Sequence, residues 1–203
     1  MTRRQLRHLT RLVDDLVDGS SVMAGKVVLK NERLDLREIM SHALELAAPL
    51  MAKRRHLVVS TVPDQPLQLE GDRMRLTQLL SNLLTNAAKF TPDAGRIEFR
   101  LEVHEQKAVI VLRDNGIGIE PAMLPRLFDR FVQADLRGDG SMGLGLLLVR
   151  RIAELHGGTV VARSGGKGCG SEFIVCLPLG ASPSAEVYAD EVSTADSENI
   201  ANV

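Results

Sequence analysis

One segment, residues 76–92, limits the fold more than any other part of the sequence. It reads LTQLLSNLLTNAAKFTP, and its leucines recur at spacings of three and four, which predicts an amphipathic helix over residues 72–89. Asp72 stands where a helix N-cap is expected. The apolar face consists of Leu76, Leu79, Leu80, Leu83 and Leu84.

The same helix carries a polar edge formed by Asn82, Asn86 and Lys89. These residues are four and three positions apart, so their side chains point the same way. Asparagine is a poor helix former, so two of them inside a helix need a reason. An amide oxygen suits Mg²⁺ and an ammonium suits phosphate. On these residues alone, a solvated helix face explains the pattern equally well.

A second candidate site follows a strand predicted for residues 108–113. The β-branched run stops at Asp114, and Gly116 and Gly118 follow. Glycine lets a ligand come close to the backbone, and a carboxylate accepts hydrogen bonds from an amine such as that of adenine. Asn115 followed by Gly116 is also a hairpin signal. Against a hairpin, residues 119–128 do not alternate as a partner strand would.

Residues 138–152, GDGSMGLGLLLVRRI, pass from glycine-rich sequence directly into a helix predicted for residues 144–155. A helix start presents unpaired N–H groups and partial positive charge, which suits phosphate. Gly143 and Gly145 let the backbone wrap closely around a polyphosphate. The segment has neither the dinucleotide-binding spacing nor a Walker Gly-Lys-Ser/Thr. A flexible loop has a similar composition.

The remaining pattern predicts a helix over residues 34–54, preceded by an extended stretch at residues 27–29. Strands are predicted for residues 56–62, 67–69, 96–103, 159–163 and 172–177. Helices gathered on one face of a mixed sheet give a two-layer α/β sandwich of the α+β class.

In order, these motifs resemble the ATP-binding domain of sensor histidine kinases, in the wider family that includes gyrase, Hsp90 and MutL ATPases. NLLTNAAKFTP resembles the N box, DNGIGI the G1 box, LFDRFVQ the F box, and GLGLLLVRRIAELHGG the G2 box with its helix. The resemblance covers residues 34–179. It implies a Bergerat-type ATP-binding fold that uses ATP and Mg²⁺.

The resemblance also implies roles for single residues. Asn86 coordinates Mg²⁺, while Asn82 lies beside the phosphates and Lys89 contacts them. Asp114 binds the adenine amine, and Ser171 assists it through a water. Further implied contacts are Gly116, Gly118, Phe131, Gly143, Leu144 and Gly145, with Arg130 and Arg137 as candidates to neutralise phosphate charge. For Arg137, grouped with the catalytic residues, a solvated surface arginine is an equally good interpretation.

The residue type at position 82 distinguishes a kinase from a hydrolase within this family. In gyrase-like ATPases, a glutamate one turn before the Mg²⁺-binding asparagine activates water. Here that position is Asn82, whose amide does not titrate near neutral pH. The resemblance therefore implies a protein-histidine kinase that transfers the γ-phosphoryl group, which requires mainly positioning and charge neutralisation.

The sequence departs from the family pattern at the lid and at the acceptor. Ser141 and Met142 precede Gly-Leu-Gly where the family often has threonine, and the lid, residues 132–142, is short. His8 lacks the acidic neighbour and the proline of an acceptor motif. At His42 no glutamate follows and Pro49 lies too far along the chain. We therefore expect this chain not to phosphorylate itself.

Three units are expected along the chain. Residues 1–30 resemble the second helix of a dimerisation hairpin whose first helix is missing, and residues 31–180 form the kinase domain. Residues 181–203 contain five acids and no Lys or Arg, which is typical of a disordered tail. A lone amphipathic helix needs a partner, so we expect a dimer through it. A response regulator or receiver domain is the further implied partner.

Composition restricts the partners. The net charge of −1 offers no basic surface for nucleic acid, and no apolar run is long enough to span a membrane. A cytoplasmic protein with reduced Cys169 and Cys176 is expected, although the full-length parent of such a domain is often membrane-anchored. Two alternatives stay open: a degenerate nucleotide sensor that signals by lid closure, and a serine-kinase-type regulatory module.

Overall fold

The computed structural model describes residues 28–129 and 144–180, which form two layers. The strands are β1 (Glu32–Asp35), β2 (Leu57–Thr61), β3 (Gln68–Gly71), β4 (Arg96–His104), β5 (Lys107–Asp114), β6 (Thr159–Arg163) and β7 (Ser171–Pro178). The helices are α1 (Leu36–Lys53), α2 (Arg73–Phe90) and α3 (Gly145–Leu155), with a 3₁₀ turn at Leu124–Arg126. The helix predicted within residues 1–24 and the acidic tail lie outside the described residues and stay predictions.

The main sheet has five strands in the order β2-β4-β5-β7-β6, and β1 pairs separately with β3. β2 lies parallel to β4, and the other neighbours are antiparallel. Alternate residues of the central strands are buried in one core with the helices. The buried sheet residues are Ile97, Phe99, Leu101, Ala108, Ile110, Leu112, Phe173, Val175 and Leu177. The predicted two-layer α/β sandwich is confirmed.

The prediction of a helix from residue 34 is wrong at its first two positions. Leu34 and Asp35 belong to β1, where Leu34 lies opposite Leu69. Asp35 then caps α1, because its carboxylate accepts the backbone N–H groups of Arg37 at 3.0 Å and Leu67 at 3.2 Å. Its hydrogen bonds with the Arg37 guanidinium hold the pKa of Asp35 below the ordinary value. The sequence around β1 does not reveal this strand, because the strand forms by pairing with β3, which lies more than thirty residues further along the chain.

His156 joins the end of α3 to the start of α2. It is 2% exposed and ends α3, followed by Gly157 at φ 68°, which closes the helix. Its Nε2 accepts the backbone N–H of Asp72 at 3.0 Å, so Nδ1 carries the proton and donates to the carbonyl oxygen of Ile152 at 2.8 Å. Burial lowers the pKa of His156 and outweighs the hydrogen bond to the Ile152 carbonyl and the charge of Asp72, which both favour the cation.

Because His156 is held neutral, we expect the free energy of unfolding to fall as the pH drops below the ordinary histidine pKa of 6.5. In that range the unfolded chain binds a proton that the folded protein excludes, so the slope reaches at most about 1.4 kcal/mol per pH unit. Urea unfolding at about pH 7.5 and about pH 5.5 measures it.

The matched variants for this test are His156→Gln and His42→Gln. The glutamine amide oxygen accepts the Asp72 N–H without titrating, so His156→Gln is expected to lose this part of the pH dependence. His42 is exposed on α1, 3.7 Å from Glu45. Its substitution is expected to leave the pH dependence that comes from His156 unchanged. Equal pH slopes in wild type and His156→Gln would contradict the assignment.

Candidate functional site

The polar edge predicted on α2 is present, and its first residue, Asn82, contacts the start of α3. Asn82, Asn86 and Lys89 are half-buried, whereas the leucines of the helix are fully buried. The Asn82 side-chain amide donates to the carbonyl oxygen of Gly145 at 3.4 Å. This hydrogen bond brings together the N box and the start of the G2-box helix, which are separated by more than fifty residues in the sequence.

The start of α3 has the features of an anion site. Leu144 is the N-cap residue, and no side chain caps the helix within the described part of the chain. The N–H groups of the first helical turn have no partner inside the helix, and they carry its partial positive charge. A Cβ atom built on Gly145 would lie 4.0 Å from Cγ of Asn82, its one described neighbour within that distance. This start of α3 beside Asn82 is the place where the sequence predicts phosphate.

Asp114 ends β5 and points into the protein at 5% exposure. One carboxylate oxygen accepts the backbone N–H of Gly116 at 2.7 Å, and the other accepts the Ser171 hydroxyl at 2.5 Å. Burial raises the pKa of Asp114, and these two hydrogen bonds oppose the rise. Ser171 lies directly opposite Asp114 on β7. The contact between Ser171 and Asp114 is direct, which corrects the sequence interpretation that placed a water between them.

The G1-box glycines pack the loop against protein backbone. A Cβ on Gly116 would lie 2.5 Å from the carbonyl oxygen of Phe90, at the end of α2. Gly118 has φ 71°, and a Cβ there would collide with the carbonyl oxygen of Gly166. The N–H of Ile117 donates to the Phe90 carbonyl at 3.1 Å, so DNG opens a loop that joins α2 and is not a hairpin turn. The structure therefore gives these glycines a packing role beside Asp114.

Ser164 is a structural residue that sequence reasoning missed. Its hydroxyl donates to the carbonyl oxygen of Gly170 at 2.6 Å and accepts the N–H of Ile119 at 3.0 Å. It thereby ties the G1 loop to the glycine-rich loop that leads to Ser171 on β7. The glycines of SGGKGCG mark a loop there, but no sequence signal singles out the serine.

Several predicted site residues lie outside the described part of the chain, and their roles stay predictions. They are Arg130, Phe131, Arg137 and Gly143, together with the lid. Over residues 28–129 and 144–180, no three His, Cys, Asp or Glu side chains form a metal site. Mg²⁺ often keeps several waters and takes oxygen ligands from few protein groups and from phosphates. The half-buried Asn86 amide fits that mode of binding.

The buried Asp114 stands at a strand end, and the amide-bearing edge of α2 contacts the start of α3, on one two-layer α/β sandwich. The sequence profile described as "Histidine kinase-, DNA gyrase B-, and HSP90-like ATPase" matches residues 71–181. The chain belongs to this family. The resemblance to the ATP-binding domain of histidine kinases is thereby confirmed.

Similar proteins and structures are sensor histidine kinases. The chain is 38% identical over 181 residues to the sensor protein GacS of Pseudomonas syringae pv. syringae, covering 85% of this chain and 20% of that protein. For the sensor histidine kinase TrcS of Mycobacterium tuberculosis, the identity is 39% over 168 residues, with coverages of 79% and 32%. The chain thus spans about a fifth to a third of these curated relatives.

Two solved structures show the same fold. Full-length ShkA in complex with AMPPNP matches with a TM-score of 0.78 and 28% identity, over 88% of this chain and 37% of that chain. The mycobacterial sensor histidine kinase MprB matches with a TM-score of 0.65 and 30% identity, over 73% of this chain and 98% of that chain. Separately, no helix among the described residues has the length and apolar character that crossing a bilayer requires.

Proposed function

We propose that this domain binds Mg-ATP and donates the γ-phosphoryl group to a histidine on a dimerisation hairpin, in two-component signal transduction. The supporting observation is the pairing of α2 with the start of α3 through Asn82 and Gly145, together with the buried carboxylate of Asp114. These groups provide separate places for phosphate and for adenine. Because the donor is ATP, we place the domain in the cytoplasm.

Each side chain has a defined task in this proposal. Asp114 accepts a hydrogen bond from the adenine amine while Ser171 and Gly116 fix its orientation. Lys89 and the N–H groups at the start of α3 neutralise phosphate charge. Mg²⁺ held at Asn86 supplies further charge neutralisation at the phosphates. Since the Asn82 amide is no base, water is not activated there, and the phosphoryl group is kept for a protein acceptor.

None of the four histidines in the described part of the chain lies in an environment that marks it as the phosphoryl acceptor. His156 is buried between helix ends, and His56 Nε2 lies 3.1 Å from the carbonyl oxygen of Pro92. His42 and His104 are exposed beside Glu45 and Glu102. We therefore propose that the acceptor lies on a hairpin outside this kinase domain. A response regulator would receive the phosphoryl group next.

Incubation with γ-labelled ATP tests the proposal. We expect the chain alone to bind Mg-ATP without acid-labile self-labelling, and to label an isolated dimerisation hairpin from a related kinase added in trans. Asn86→Ala is expected to reduce that labelling about a hundredfold, because Mg²⁺ loses its protein ligand. Tight ATP binding with no transfer to any hairpin would favour the nucleotide sensor. Transfer to serine would favour the serine-kinase-type module.

A further inference from the structure

Arg54, at the C-terminal end of α1, contacts the C-terminal end of α2. Its Nη1 lies 2.8 Å from the carbonyl oxygen of Ala88, 2.7 Å from that of Lys89 and 3.0 Å from that of Thr91. Its Nε lies 3.4 Å from a carboxylate oxygen of Asp93. The side chain is 21% exposed, so most of it is shielded from solvent.

The carbonyls that Arg54 contacts are among those that a helix leaves without partners at its last turn. A cation there is also favoured by the negative end of the helix dipole. The neighbouring groups are bound as well, since His56 Nε2 lies 3.3 Å from the Thr91 carbonyl and the Phe90 carbonyl accepts the N–H of Ile117. The last turn of α2 is thus fixed to α1 on one side and to the G1 loop on the other.

This last turn of α2 carries Lys89, assigned to phosphate, and directly follows Asn86, assigned to Mg²⁺. Asp114, assigned to adenine, stands on β5 and does not depend on Arg54 for its hydrogen bonds. The backbone of Arg54 is itself anchored, because its carbonyl accepts the N–H of Ala94 at 2.9 Å. Loss of the guanidinium would therefore loosen the turn that carries Lys89, while the hydrogen bond from Ser171 on β7 still holds Asp114.

We propose that Arg54 is a positioning residue, which sets where Asn86 and Lys89 stand relative to Asp114. The inference rests on the proposed function, because it assigns those three residues to one nucleotide. Arginine suits the task because its planar guanidinium presents five donors in a fixed geometry. A lysine ammonium keeps the charge but has its three donors on one atom, so it reproduces only part of the contact.

The test measures how much Mg²⁺ increases ATP affinity in the full chain, as the ratio of the dissociation constants in EDTA and in Mg²⁺. Arg54→Gln is expected to lower this ratio about tenfold and Arg54→Lys about threefold. A merely structural role would scale the affinity in both buffers through the folded fraction and leave the ratio unchanged. Circular dichroism at each condition reports that fraction.

Arg55→Gln is the matched control, because Arg55 is the adjacent arginine and its side chain is exposed. It is expected to keep the wild-type ratio. A wild-type ratio in folded Arg54→Gln, or an equal loss in Arg55→Gln, would overturn the inference. If Arg54→Gln fails to fold, Arg54→Lys decides by the same comparison. Failure of the wild type to bind Mg-ATP would overturn the proposed function, and this inference with it.

Discussion

Replacing Asp114 with asparagine is expected to weaken ATP binding about a hundredfold, because the pocket loses a charged acceptor for the adenine amine. The substitution keeps the size of the side chain. Its amide oxygen still accepts the Gly116 N–H, and its NH₂ group donates to the Ser171 hydroxyl, so the local structure should persist. Isothermal titration calorimetry with Mg-ATP measures the loss.

The nucleotide preference of Asp114→Asn gives a sharper readout than affinity alone. Guanine carries a carbonyl where adenine carries the amine, so an asparagine N–H is expected to raise the affinity for GTP relative to ATP. Asp64→Asn is the matched control, because Asp64 is an exposed aspartate in the loop between β2 and β3. Unchanged ATP affinity in Asp114→Asn, or an equal loss in Asp64→Asn, would contradict the adenine assignment.

The pH dependence of Asp114 has opposite signs for binding and for stability. Burial raises its pKa, so the folded protein takes up this proton at a higher pH than the unfolded chain does. As the pH falls through the raised pKa toward the ordinary value of 3.8, this group adds to the free energy of unfolding. Over the same range ATP affinity is expected to fall, because the neutral carboxyl group is the weaker acceptor, and Asp114→Asn should remove that dependence.

Sequence reasoning succeeds here where the signal is local. The leucine spacing of α2 and the stop of the β5 run at Asp114 each lie within one short window, and the structure has both as predicted. It fails where a contact joins distant segments. β1 forms only by pairing with β3. The contact of Arg54 with the end of α2 exists only in the folded protein, where α1 lies beside α2. Neither contact is predicted by the hydrophobic periodicity of the segment in which it lies.

The glycine-rich loop before β7 offers a second large effect, at Gly170. We expect Gly170→Ala to lower the free energy of unfolding by about 3–5 kcal/mol. Gly170 has φ 69°, and a Cβ there would collide with the carbonyl oxygen of Asp114 and lie 3.0 Å from Cα of Asn115. Both neighbours are backbone atoms, so the strand end that carries Asp114 must move. Urea unfolding at neutral pH measures the change.

Gly168→Ala separates the collision from the backbone conformation. Gly168 also lies in the left-handed region, at φ 80°, but a Cβ there meets no described atom within 4 Å. Gly168→Ala should therefore lower the free energy of unfolding only by the cost of the left-handed backbone conformation, about 1–2 kcal/mol. Because only Gly170→Ala displaces Asp114, it alone should also weaken ATP binding in the population that stays folded. Equal losses of stability in the two variants would show that the contact between this loop and the G1 box does not hold Asp114 in place.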